Sequence, residues 1–167
     1  MSTNSLDKRP TRELLALFAH VLEELRSRGA VRSSNNPVAD YAESLVARAL
    51  CLTLLPRSNT GCDARDSEGK RYEIKSRRIT RHNGSTQLSV IRGLDLCHFD
   101  YLVGVLFNED FSVQRGCLVP HDVVTRLATY RKHVNGWIFF LQPALWNESG
   151  VRDVTQVLTE AQDSQAS

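Results

Sequence analysis

The 167-residue chain has no run approaching the roughly 18 apolar residues of a membrane span, and its opening MSTNSLDKRP lacks the apolar core of a signal peptide. These absences lead to the expectation of a cytoplasmic protein with no membrane partner. Cysteine is sparse: Cys51, Cys62, Cys97 and Cys117 stand far apart, with no CxxC pair and no neighbouring pair of histidines. That spacing excludes an ordinary zinc site and predicts reduced, mostly buried thiols. There is no internal repeat and no signature of a small-molecule cofactor. Nor is there an excess of one charge: 21 Lys and Arg face 19 Asp and Glu, so a uniformly basic nucleic-acid coat is ruled out.

What is present is charge unevenly placed. Residues 61–92 hold 8 cations against 4 anions, whereas residues 93–167 hold 5 against 9. Of the 21 cations, 17 are arginine, whose planar fork suits bidentate contact with phosphate.

Helical spacing of Leu14, Phe18, Val21, Leu22 and Leu25 predicts a first helix from Thr11, with Thr11 as N-cap and Gly29 as stop. Asn36-Pro37 reads as an N-cap followed by proline at the first helical position, opening a second helix to about Leu50. Strands are expected at Cys62–Asp66 and Lys70–Arg78, a short helix at Thr86–Leu94, and strands at Phe99–Phe107 and Phe111–Val119. A helix at Asp122–Arg131, a strand at Trp137–Leu141 and a last helix at Val151–Ala161 follow. The order predicts one α/β domain over residues 11–159 with a mixed central sheet flanked by helices, a flexible N-terminus (1–10) and a flexible tail (160–167).

The segment CDARDSEGKRYEIKS carries the chemistry. Asp66-Ser67-Glu68-Gly69-Lys70 fits a three-residue hairpin loop closed by glycine in the left-handed conformation. Counting back from Asp66 opposite Lys70 sets Ala64 opposite Tyr72 and Asp63 opposite Glu73. Period two places Glu73 and Lys75 on one strand face, about 7 Å apart along the strand. Opposed like charges destabilise a sheet, so a cation belongs between Asp63 and Glu73. Lys75 supplies part of it, and two converging hard oxygens beside a positive group also suit Mg²⁺. On the second helix Glu43 falls at the edge of the apolar arc of Val38, Ala42, Leu45, Val46 and Ala49, placed to lean over the sheet. Arg77, Arg78 and Arg81 follow on the same segment and are candidates for guiding a nucleic-acid backbone.

The series Glu43 on a helix, Gly61-Cys62-Asp63 opening a hairpin and Glu73-Ile74-Lys75 on its second strand resembles the PD-(D/E)XK nuclease superfamily, the restriction-endonuclease-like fold. The wording GCDARDSEGKRYEIKSRR is similar to that of uncharacterised bacterial restriction-endonuclease-like domains, and the resemblance spans roughly residues 37–119. Cys62 stands where the motif's proline would be. The resemblance implies a core of helix, three-stranded meander, helix and strand. It implies Mg²⁺, with Mn²⁺ as substitute, bound by Asp63, Glu73, the Ile74 carbonyl and Glu43, with Lys75 as catalytic lysine. Gln87 is similar to a glutamine that some branches place near the active site. The implied activity is hydrolysis of DNA phosphodiester bonds, as an endonuclease in restriction, repair or recombination, with a homodimer as one way to address two strands. The alternative is a non-catalytic nucleic-acid-binding or protein-interaction module on the same fold.

Overall fold

In the strand Arg71–Arg78, Tyr72, Ile74 and Ser76 are buried while the residues between them are half-buried, the alternation of a strand covered on both faces but more tightly on one. A computed structural model of the chain describes residues 6–56 and 61–164. Expectations for residues 1–5 and 165–167 lie outside the described residues. In chain order the elements are α1 (Thr11–Ser27), α2 (Pro37–Ala49), β1 (Thr53–Leu54), β2 (Ala64–Arg65), β3 (Arg71–Arg78) and β4 (Tyr101–Phe107). They continue with β5 (Val113–Pro120), α3 (His121–Leu127), β6 (Thr129–Arg131), β7 (Gly136–Ile138), β8 (Arg152–Asp153) and α4 (Thr155–Asp163).

The sheet runs β1-β2-β3-β4-β5-β8. Only the β3–β4 pair is parallel, with Glu73 beside Leu102 and Lys75 beside Gly104, so the expected mixed sheet is present. Ala64 pairs with Tyr72 and Arg65 with Arg71, the register derived from the turn. The turn is built as its residues demand. Asp66 Oδ1 accepts from the backbone N–H groups of Glu68 and Lys70, and Gly69 takes φ +82°.

Two apolar clusters lie on opposite faces of the sheet. On one, Ala42, Leu45 and Val46 of α2 pack with Ile74, Val103, Phe107 and Leu158. On the other, Leu102 and Leu106 meet Leu88, Ile91, Phe139 and Leu141 from the segments flanking β7. Because paired residues share a face, Glu73 and Lys75 project toward this second layer and α2 covers the first. The Asn36 side chain accepts from the Val38 N–H and caps α2 with Pro37 at its first position, as expected.

Several boundaries differ from the sequence reading, each for a visible reason. Pro10, not Thr11, caps α1, since its carbonyl accepts from the N–H groups of Glu13 and Leu14. Residues 86–91 form no helix. Their backbone bonds go sideways, Leu88 N–H to the Phe139 carbonyl (2.9 Å) and Ile91 N–H to the Trp137 carbonyl (3.0 Å), and a 3₁₀ turn at Leu94–Leu96 follows. Helix α3 ends at Leu127 because residues 129–131 pair with β7. Helix α4 starts at Thr155 because Arg152 and Asp153 join the sheet beside β5, and it runs through Asp163, past the expected start of the tail. Gln162 fastens this last turn, donating to the Tyr41 hydroxyl and the Phe111 carbonyl. Cys62 and Cys117 are buried, but Cys51 and Cys97 are exposed, and all four are free thiols.

Among the described residues no helix is long and apolar enough to cross a membrane.

Leu45, with no exposed surface, joins α2 to the sheet. Leu45→Ala is expected to lower the unfolding free energy by about 2–5 kcal/mol in urea titrations, and a cost below about 1 kcal/mol would contradict this packing.

Candidate metal and phosphate site

Backbone pairing between β2 and β3 stops at Tyr72, and a side chain continues it. The Asp63 N–H donates to the Tyr72 carbonyl (2.8 Å), and Asp63 Oδ2 accepts from the Ile74 N–H at 2.7 Å. The N–H and C=O of one strand residue point the same way, so the Ile74 carbonyl lies on this edge too. Asp63, the Ile74 carbonyl and the neighbouring Glu73 thus lie close along the chain where β2 leaves β3.

Glu73 and Lys75 project from the same face and form an ion pair, their side chains only 15% and 17% exposed respectively. Glu43 reaches the same region from α2 and is paired with Arg32, its side chain 14% exposed. Burial pushes the Glu43 carboxyl above its ordinary value despite the Arg32 hydrogen bond, and the negative charge of Asp63 adds to the rise. Glu73 is raised likewise, first by burial and then by Asp63 and Glu43, with Lys75 opposing. Burial works against the Lys75 ammonium, but Glu73, Asp63 and Glu43 outweigh it and hold its pKa above the ordinary value. Three carboxylates therefore share one partly desolvated region with Lys75 and Arg32.

Arg32 was hidden in the linker VRSSNN. Its place is set by Asp40, a buried residue of α2 whose Oδ2 accepts from the N–H groups of Arg32 (2.9 Å) and Ser33 (2.7 Å) and from the Ser33 hydroxyl (2.8 Å). Arg32 Nη1 donates to the Leu55 carbonyl at 2.9 Å, and Nη2 takes Glu43. The available signal was Asp40 itself: an acid on the buried face of a helix needs donors, and the preceding polar linker is the nearest source.

The following arginines separate. Arg77 lies on the face of Glu73 and Lys75, and its Nε is buried without a hydrogen-bond partner. Arg78 turns to the opposite face, its guanidinium 4.6 Å from the centre of the Phe111 ring. Arg81 is exposed, with Nε donating to His82 at 3.1 Å. Gln87 sits not on a helix but on an extended arm bridged to Phe140, next to the Leu88 that packs close to Gly104.

The donor types at the β3 edge, two carboxylates and a carbonyl, suit a hard divalent ion. Their arrangement fits it in part. Among the described residues no three His, Cys, Asp or Glu side chains converge to hold a metal ion; Glu43 is paired with Arg32 and Glu73 with Lys75.

No family model matches this chain, and no curated protein aligns with it significantly.

Glu43 and Glu73 bind protons more tightly in the folded than in the unfolded chain. Their effect on stability is thus unfavourable at neutral pH and is relieved as pH falls through their raised pKa toward the ordinary 4.5. With chelator present, lowering the pH from about 8 to about 5 should raise the Tm of the wild type relative to Glu73→Gln, and a pH-independent difference would contradict the raised carboxyl.

Proposed function

We propose that this chain is a metal-dependent nuclease on a restriction-endonuclease-like core, hydrolysing DNA phosphodiester bonds. The observation that carries the reading is the half-buried group Asp63, Glu73 and Lys75, set where β2 leaves β3, with Glu43 of α2 acting on it electrostatically. Acids whose pKa is raised, beside a half-buried lysine, are what hydrolytic sites use and what a stable sheet would otherwise avoid. The order α2, then the meander β1-β2-β3, then β4 parallel to β3 supports the same core. One departure stands: a 3₁₀ turn and an extended arm replace the helix expected between β3 and β4.

On this reading Asp63, Glu73 and the Ile74 carbonyl would hold Mg²⁺ or Mn²⁺, which supplies charge neutralisation at the phosphodiester. The protein's own groups do the rest. Lys75 orients the attacking water and stabilises charge on it, its ammonium kept protonated by the surrounding acids. Arg77, on the same face, adds positive charge beside the phosphate. Arg78 and Arg81, farther along, contribute to the basic surface that attracts the backbone. DNA is the partner on this reading, and a homodimer would let two sites address two strands.

A second reading, a non-catalytic nucleic-acid-binding or protein-interaction module, is favoured by a specific observation. No three ligands converge among the described residues, and the carboxylates of Glu43, Asp63 and Glu73 each have an internal partner. It therefore requires no side chain to move.

Incubation with plasmid, branched and single-stranded DNA in Mg²⁺ or Mn²⁺ separates the two. The nuclease reading expects cleavage that Glu73→Ala and Lys75→Ala each reduce by about 100-fold or more. The module reading expects no cleavage but salt-sensitive DNA binding without divalent ions, strengthened by Glu73→Ala and weakened by Arg77→Ala with Arg78→Ala. Cleavage that survives both site substitutions would contradict the catalytic assignment.

A further inference from the structure

Helix α1 carries more apolar surface than the body of the domain covers. Leu22 is its one buried residue, whereas Leu15, Leu17, Phe18 and Val21 are 40–64% exposed. Leu14, Phe18, Val21 and Leu25 recur at spacings of four, three and four, the repeat of a helix that packs along another helix. Apart from Glu24 at its flank, the charged residues of α1, Arg12, Glu13, Glu23 and Arg26, lie off this stripe. A helix of 17 residues is marginal by itself in water and depends on what its apolar face meets. Beside the stripe runs a groove of about 860 Å³, lined by Phe18, Val21 and Leu25 of α1 together with Val31, Tyr41 and Phe111.

We propose that this face is a dimer interface whose occupant is α1 of a second copy of the chain, laid antiparallel along the stripe. A two-fold axis between Ala19 and His20 sets Leu14 of one copy against Leu25 of the other, and Phe18 against Val21, so the central layers are apolar throughout. Leu15, Leu17, Phe18 and Val21 expose roughly 400 Å² per copy, so two copies bring about 800 Å² toward the roughly 1,200 Å² at which specific interfaces begin. The half-buried Leu14 and Leu25 and the polar rim add to that area. Charge fits the same occupant. Among the described residues the groove is lined by Arg28 and Arg78 and by no acid, and the alignment brings Glu13 of the second copy level with Arg28 to within about 3 Å along the axis. A lipid surface fits less well, because the acids Glu13, Glu23 and Glu24 of α1 outnumber its arginines Arg12 and Arg26, whereas interfacial helices are rich in cations. This inference goes beyond the nuclease reading and does not depend on it.

Analytical ultracentrifugation of the full chain, without metal or DNA, tests it. The wild type should be dimeric at about 10 μM, and Phe18→Glu and Val21→Glu should each raise the dimer dissociation constant by about tenfold or more. Both residues are half-exposed in the single chain, so neither change removes a core contact. Leu96→Glu, at an equally exposed leucine outside α1, should leave the dimer intact. A wild type still monomeric at about 100 μM would overturn the proposal, as would a dimer that survives both α1 substitutions. A monomer that sediments with anionic vesicles through Phe18 would overturn it in favour of a lipid surface. The orientation has its own measurement: spin labels on Arg12→Cys, with Cys51→Ser and Cys97→Ser, should stand at least about 22 Å apart in the antiparallel dimer. Labels in near contact would mean a parallel pair and would overturn the proposed seam. None of these readouts involves a metal or DNA, so their failure leaves the nuclease reading where it stands.

Discussion

The hydrogen bond from the Ile74 N–H to the Asp63 carboxylate is the point on which the rest of the site depends. It continues the β2–β3 ladder by a side chain for one step, after backbone pairing has ended at Tyr72. A carboxylate used in this way is pinned at the sheet edge beside the next residue's carbonyl, and period two then brings Glu73 and Lys75 up alongside it. Had backbone pairing continued, the Ile74 edge would have been sealed by a neighbouring strand. The hairpin turn at Asp66 fixes where the ladder stops, since a slip of one residue would send Glu73 and Lys75 to the face covered by α2.

Charge follows from that geometry. Gathering Asp63, Glu73 and Glu43 in a desolvated place is unfavourable, and the chain offsets it with Lys75 from the same strand and Arg32 from the linker before α2. Burial first, and then the mutual repulsion of the acids, makes both glutamates hold their protons more tightly than in solution. The +2 net charge of the whole chain conceals this local pattern, since the basic segment around the site is balanced by an acidic C-terminal portion.

Much of the site was legible in the sequence because short-range rules determine it. The turn residues Asp66 and Gly69 set the register, alternation set the face of Glu73 and Lys75, and the helical wheel placed Glu43 at the edge of the arc of α2. The same alternation separates Arg77 from Arg78, although grouping them by sequence proximity hid it. Arg32 was only partly legible: Asp40, an acid on the buried face of α2, calls for donors from the preceding linker, but the contact with Leu55 across 23 residues follows no local pattern. The segment around Leu88 and Ile91 was misread for a related reason: a short apolar stretch fits helix or strand alike, and pairing with residues 137–141 decides it. The apolar stripe of α1 was correctly read as helical, yet Leu15, Phe18 and Val21 remain exposed and only Leu22 is buried. Amphipathic spacing specifies a face, not what covers it.

The most direct test of a cation site at the β3 edge is the anomalous scattering of a crystal soaked in Mn²⁺. A peak in contact with Asp63, Glu73 and the Ile74 carbonyl is the predicted result. A saturating soak that leaves this edge without a peak, with Glu73 still bound to Lys75, would contradict it.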